Sequence, residues 1–166
     1  LGNIVTGNTP SKSKPEYYSN DLKDIDWIKS DNILSKRHYC TASLEKLSER
    51  GKEVARVVPE NTTLIISITG SKSRLGDCAM TSSEATFNQQ INAFVANKNP
   101  IYYYFLIKYS KHLIRNLSNN ALKQLVTKTS LEKLKVIETD EHLQERFQKL
   151  FYKLSVIKNH SVEAKN

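Results

Sequence analysis

No glycine-rich loop of the kind that cradles phosphates occurs in this chain. Its five glycines are scattered, and none stands in a G-x-G-x-x-G setting between a strand and a helix, so a nucleotide or an adenosyl cofactor has no visible seat. Cysteine is nearly absent. Cys40 and Cys78 are the only two, which implies no disulfide framework and leads us to expect reduced thiols in a cytoplasmic protein. The four histidines, at 38, 112, 142 and 160, stand far apart, and neither cysteine has a neighbour at metal-ligand spacing, which argues against a zinc site. A metal-dependent nuclease needs clustered carboxylates near a lysine, yet the only Glu-x-Lys, Glu163 to Lys165, lies at the very end. Catalysis within this chain is therefore not expected. The longest apolar run, "IYYYFLI", falls well short of the roughly 20 residues that span a bilayer, and no signal peptide opens the chain. It also opens without an initiator methionine and with an apolar strand already under way, which reads as a fragment of something longer.

What the chain does have is positive charge. Its 166 residues carry a formal charge of +8, and residues 1–127 hold 17 Lys and Arg against 11 Asp and Glu. A basic body points to a polyanionic partner, nucleic acid above all, because Lys and Arg release condensed counterions when they neutralise phosphates. The cations gather in polar loops. "TPSKSKPEYY" offers Thr9, Ser11, Lys12, Lys14 and Tyr18, "KSDNILSKRHY" offers Lys29, Asp31, Lys36 and Arg37, and "GSKSRLG" presents Ser71, Lys72, Ser73 and Arg74 between two glycines. Such donors can meet phosphates or guanine edges. The same loops can equally be solvated surface, and Asp31 can simply pair with a lysine. From Ala85 to Leu131 there is no acid at all while six Lys and Arg accumulate, Lys123 among them. In "ATFNQQINAF", Asn88 suits a structural role satisfying buried backbone groups, whereas Gln89 and Gln90 point opposite ways if extended, so that one of them, taken here as Gln89, faces outward.

Hydrophobic patterning predicts a mixed α/β (α+β) body. "GNIVTG" and "IDWIKS" read as strands, "SLEKLSERGKEVAR" as helical turns broken at Gly51, and "RVVPENTTLIISITG" as two strands flanking a turn. "CAMTS" and "QINAFVAN" follow as strands. The run from Pro100 to Leu117 has helical spacing with proline near its first turn. A helical turn capped by Thr129 with Glu132 and a strand from Lys135 to Glu138 close the body, and Thr139 or Asp140 can cap one more helix. In that helix Leu143, Phe147, Leu150, Leu154 and Ile157 recur in steps of four and three, a coiled-coil seam flanked by Phe151. A single helix cannot bury such a seam. The expected organisation is a recognition body over 1–138, a spacer or dimerisation helix over 139–158 and a flexible tail over 159–166.

Taken in order, "GNIVTGNTPS" with "YY" after it, "DWIKSDNI", "LSERG", "LIISITGSKSRLGDCAM", "ATFNQQINAF" and "VTKTSLEKLKVIETDEHLQERF" resemble the target-recognition domain and following spacer helix of a type I restriction-modification specificity subunit. Members often carry prolines before the spacer helix, where this chain has "ETDE". The resemblance implies a subunit without catalysis or cofactor of its own. It would read one half of a split site in double-stranded DNA for modification subunits that hold S-adenosylmethionine and for ATP-driven restriction subunits, with Mg²⁺ also expected on these partners. It further implies that the seam meets a second recognition domain, in the same protein or in a homodimer. A fragment of a single-chain restriction and methylation enzyme, or an RNA-binding α/β protein, are the alternatives. The family's recognition surfaces vary with the target, so the loop residues above rest on their own chemistry.

Overall fold

The computed structural model describes residues 1–118 and 124–163, with side chains as far as residue 154. The first half contains β1 (Gly2–Thr6), a 3₁₀ turn (Pro15–Tyr17), β2 (Tyr18–Ser19), β3 (Ile25–Ile28), a second 3₁₀ turn (Ser30–Asn32), β4 (Lys46–Leu47), α1 (Glu49–Val54) and β5 (Val57–Val58). Then come β6 (Thr63–Ile66), β7 (Ile68–Thr69), β8 (Cys78–Met80), β9 (Ala85–Phe87) and β10 (Ile91–Ala96). The remainder is mostly helical: α2 (Pro100–Tyr109), α3 (Lys111–Asn116), the short β11 (Gln124–Leu125), α4 (Lys128–Glu132) and α5 (Glu141–Glu163).

Two sheets share the body. One is antiparallel, in the order β1-β10-β6-β8, and the other runs β2-β4-β3-β9-β5 with β3 and β9 parallel. A β7–β11 pair completes the set. The unbroken apolar run of β6 explains the layering, because successive side chains of a strand face opposite ways. Leu64 and Ile66 enter a core with Ala79, Ile91 and Ala93 of their own sheet and Ile28, Val58 and Phe87 of the other. Ile65 turns to the opposite face and meets Cys78, Met80, Ile101, Tyr104 and Ile114, which closes a second core under α2 and α3. Each such fully buried Leu or Ile contributes about 1.5–3 kcal/mol. Lys46, buried on β4, pairs with Asp26 of β3 at 2.6 Å and so ties those strands without stranding a charge.

Several expectations change. The helix over "SERGKEV" runs straight through Gly51, since its missing Cβ leaves room for the Tyr17 carbonyl that packs against it. The Pro100 helix divides at Ser110, whose N–H closes α2 on Leu106 O (3.0 Å) and whose carbonyl opens α3 by accepting from Leu113 N–H (2.9 Å). α4 is capped by Thr127, which accepts from Ser130 N–H at 3.1 Å, two residues before the expected Thr129. Residues 135–138 form no strand: among the described residues they pair with no other strand, Ile137 is 94% exposed, and the segment is held by the Tyr103 hydroxyl donating to Glu138 (2.9 Å). Asp140 does cap α5, accepting from Leu143 N–H at 3.0 Å. That helix runs from Glu141 to Glu163.

Candidate nucleic-acid interface

Side-chain clasps bring the three polar loops together. Glu45, just before β4, accepts from Lys12 and Lys29 at 2.7 Å each and so joins the loop after β1 to the loop after β3. Burial by itself pushes the Glu45 carboxyl up, but hydrogen bonds and attraction from the two lysines outweigh it and hold the group below its ordinary value. One acid between two cations leaves net positive charge at this end. Lys12 also lies over the rings of Tyr18 (4.4 Å) and Trp27 (4.9 Å), and Lys29 over Trp27 (5.2 Å). The Tyr18 hydroxyl donates to Pro10 O at 2.6 Å, which curls its loop onto itself. Ser11 and Ser13 share a hydrogen bond at 2.8 Å, and Lys14 donates to the Tyr17 hydroxyl at 3.1 Å.

The second clasp is Arg74. Its Nη2 donates to Ser30 O (2.8 Å) and Ile33 O (2.7 Å), and Asp31 lies 3.6 Å away, so the loop after β7 is fastened to the loop after β3. Beside it Ser71 and Ser73 bond to each other at 2.8 Å. Lys72 is exposed, as are Lys36 and Arg37, and none of their side chains has a partner among the described residues. Lys36 and Arg37 line a cleft of about 630 Å³ opposite Ser73, Arg74 and Lys111. Thr9 donates to Oε1 of Gln89, which is exposed, whereas Asn88 is buried with its Oδ1 accepting from Gln90 N–H at 3.1 Å. The arrangement is a band from Gln89 and Thr9 through Lys12, Glu45 and Lys29 to Arg74 and Lys72. It offers mobile cations for phosphates and short hydroxyl and amide groups for base edges.

Sequence reasoning missed Glu45 and Lys111. Glu45 bridges Lys12 and Lys29, and no linear pattern shows that these two distant lysines converge on it. The acid-free run from Ala85 to Leu131 also reads differently in space. Lys98 pairs with Glu141 (2.6 Å) and Lys108 donates to the Tyr104 hydroxyl (2.9 Å). Lys111 pairs with Asp77, Arg115 donates to Leu75 O (3.3 Å), and Lys128 meets Glu132 (3.7 Å). These cations serve the fold, and Lys123 lies outside the described residues. Burial pushes the Cys40 and Cys78 thiols up to about 12, and among the described residues no group of three His, Cys, Asp or Glu could hold a metal ion. No described helix is long and apolar enough to cross a membrane.

α5 presents two faces. One docks on α2: Gln144 is buried and accepts from Asn99 Nδ2 (3.3 Å), Gln148 accepts from Ile101 N–H (3.2 Å), and the Phe147 and Phe151 rings pack at 5.4 and 5.5 Å on Phe105. Phe151, expected beside the seam, is half-buried and packs against this chain's own core. On the other face Leu143, Leu150 and Leu154 are exposed, and Leu143 and Leu150 border an open groove with Phe147, Arg146, Lys149 and Lys153. The side chain of Ile157 lies outside the described residues.

Comparison with known proteins places this architecture. Residues 1–159 match the family model described as the type I restriction modification DNA specificity domain. The specificity subunit of the type I restriction enzyme EcoprrI from Escherichia coli is 28% identical over 97 residues, 58% of this chain and 23% of that protein. The HsdS subunit from Thermoanaerobacter tengcongensis matches over 100% of this chain and 38% of its own, with a TM-score of 0.66 at 14% identity. The type I restriction-modification S subunit from M. genitalium matches over 96% and 37%, with a TM-score of 0.61 at 13% identity. The chain spans less than half the length of these relatives, and the two solved structures share its fold. With the family model covering nearly every residue of both sheets and of the helix that leaves them, this chain belongs to the type I restriction-modification DNA specificity domain family.

Proposed function

We propose that this chain reads one half of a bipartite site in double-stranded DNA for a cytoplasmic type I restriction-modification system, and that it performs no chemistry itself. The observation that carries the reading is the gathering of three loops, far apart in sequence, into one cationic band on a specificity-domain fold. Lys36, Arg37 and Lys72 stand free to neutralise phosphates, which positions the protein on the duplex. Ser71, Ser73, Thr9 and Gln89 are the groups facing base edges, the Gln89 amide nitrogen being suited to an adenine or guanine acceptor. The exposed Leu143, Leu150 and Leu154 of α5 support its use as a spacer helix that packs on a second recognition half. Modification subunits assembled on this frame would bring S-adenosylmethionine, and restriction subunits ATP, with Mg²⁺ also held by these partners.

The test is selection of duplexes from a random-sequence pool by the chain together with its co-purifying modification subunits. A recurring half-site of a few base pairs is the expected result. Retention of RNA as tightly as DNA, or no enrichment of any sequence, would overturn the reading.

A further inference from the structure

We infer that Arg74 is a positioning residue that sets the spacing of two DNA-facing loops and leaves contact with DNA to its neighbours; this rests on the DNA-reading function proposed above. The guanidinium is already engaged. Two carbonyls at the second 3₁₀ turn, Ser30 O at 2.8 Å and Ile33 O at 2.7 Å, take hydrogens from Nη2, while Asp31 lies 3.6 Å from Nη1 and Asp77 3.7 Å from Nε. A planar fork of five donors suits this fan of acceptors, and a lysine ammonium does not reproduce it.

The end from which Arg74 reaches is firmly held. Asp77, 8% exposed, is shared with Lys111 of α3, whose Nζ also donates to Ser73 O at 2.8 Å. Arg115, one turn further along α3, donates to Leu75 O (3.3 Å) and to Ser73 O. Gly76, at φ +78°, lets the loop lie close over Lys111 and Ile114, and Ile114 is core. At the end that Arg74 grips, the Ile33 side chain is sunk in the core, and the turn around it is held by bonds within its own segment: Asn32 Oδ1 accepts from Lys29 N–H (3.0 Å), Asn32 Nδ2 donates to Ala42 O (3.0 Å), and Thr41 N–H donates to Asn32 O (2.9 Å). Beyond it Lys36 and Arg37 project freely. Among the described residues Arg74 is the side chain that bonds across the cleft between these loops, so that with Ile33 anchored in the core it fixes how the turn carbonyls lie against the loop after β7. Base readout requires placement to within a fraction of an ångström, whereas attraction between lysines and phosphates tolerates drift. Loss of the clasp should blunt discrimination between sequences more than it weakens binding overall.

The experiment compares Arg74→Ala, Arg74→Lys and Lys72→Ala in the specificity subunit with its modification partners. Hydrogen exchange is read first, without DNA. Exchange across residues 29–37 should quicken about tenfold in Arg74→Ala, as befits losing charge-assisted hydrogen bonds. It should quicken less in Arg74→Lys and stay unchanged in Lys72→Ala, with β6 and β10 protected throughout. Affinity is then measured for a duplex selected by the wild type and for its scrambled version. Arg74→Ala should lower their affinity ratio about tenfold while the salt dependence for the scrambled duplex keeps its slope; a recognition loop displaced from its bases loses a contact of this size. Lys72→Ala should weaken both duplexes alike and reduce that slope. Undisturbed exchange in Arg74→Ala, with both duplexes weakened equally and the slope reduced by about one, would overturn the inference and make Arg74 a phosphate contact. Faster exchange spreading into β6 and β10 would also overturn it, as a general stability effect. Should the wild type bind neither duplex, the DNA-reading function fails, while the exchange data still decide whether Arg74 holds the loops.

Discussion

Glu45 and Gly51 illustrate how single residues shape the recognition band, and each yields a prediction. Because Lys12 and Lys29 hold the folded carboxyl of Glu45 below the ordinary value of 4.5, the clasp contributes stability that is fully present above that value and lost as pH falls through the folded one. Both lysines lie over the Trp27 ring, so Trp27 fluorescence should report an acid transition in this window that Glu45→Gln removes. An identical transition in the variant would show that another group titrates. Gly51→Ala drives a Cβ into the Tyr17 carbonyl and should destabilise the protein by about 1–3 kcal/mol in denaturant melts. A melt unchanged from wild type would mean that the contact yields freely. At this scale the sequence was only partly legible. The structural role expected for Asn88 agrees with its burial and its bond to Gln90 N–H, whereas Arg74 looked like any loop cation because its acceptors are backbone carbonyls more than forty positions away in the chain.

Among elements, β6 and α5 were the most readable and β9 the least. An apolar run such as "LII" must be buried on both faces, and β6 sits between the two cores accordingly. The three-residue β9 has no such signature, and its parallel pairing with β3 depends on contacts that local pattern does not encode. For α5 the seam spacing was plain, but the spacing could not show that Gln144, Phe147 and Phe151 would take a neighbouring face for α2. The two faces give separable outcomes. Leu150→Glu with Leu154→Glu alters residues that are 55% and 57% exposed, so the chain should keep its thermal melt while losing association with a second recognition half in sedimentation. Phe151→Ala should instead lower stability, at or below the lower end of the roughly 3–5 kcal/mol measured for fully buried phenylalanines. A melt lowered equally by both changes would mean that α5 serves only this chain's own core.

For the whole molecule, the resemblance of six ordered segments identified the family before any fold was seen. What remained hidden was which cations face outward, since the acid-free run from Ala85 to Leu131 looks like a polyanion surface in one dimension, whereas in three dimensions Lys98, Lys111 and Lys128 pair with acids from outside the run or at its edge and Arg115 is held by a backbone carbonyl. The purified chain alone should neither methylate nor cut DNA when given S-adenosylmethionine, Mg²⁺ and ATP. Methyl transfer abolished by a point change within this chain would contradict that. The most direct test of the central claim is the salt dependence of duplex DNA binding by the chain with its modification partners, for wild type and for Lys36→Ala and Lys72→Ala. Each substitution should weaken selected and scrambled duplexes alike and lower the slope of log affinity against log salt by about one. Slopes and affinities identical to wild type in both folded variants would show that DNA does not meet this band.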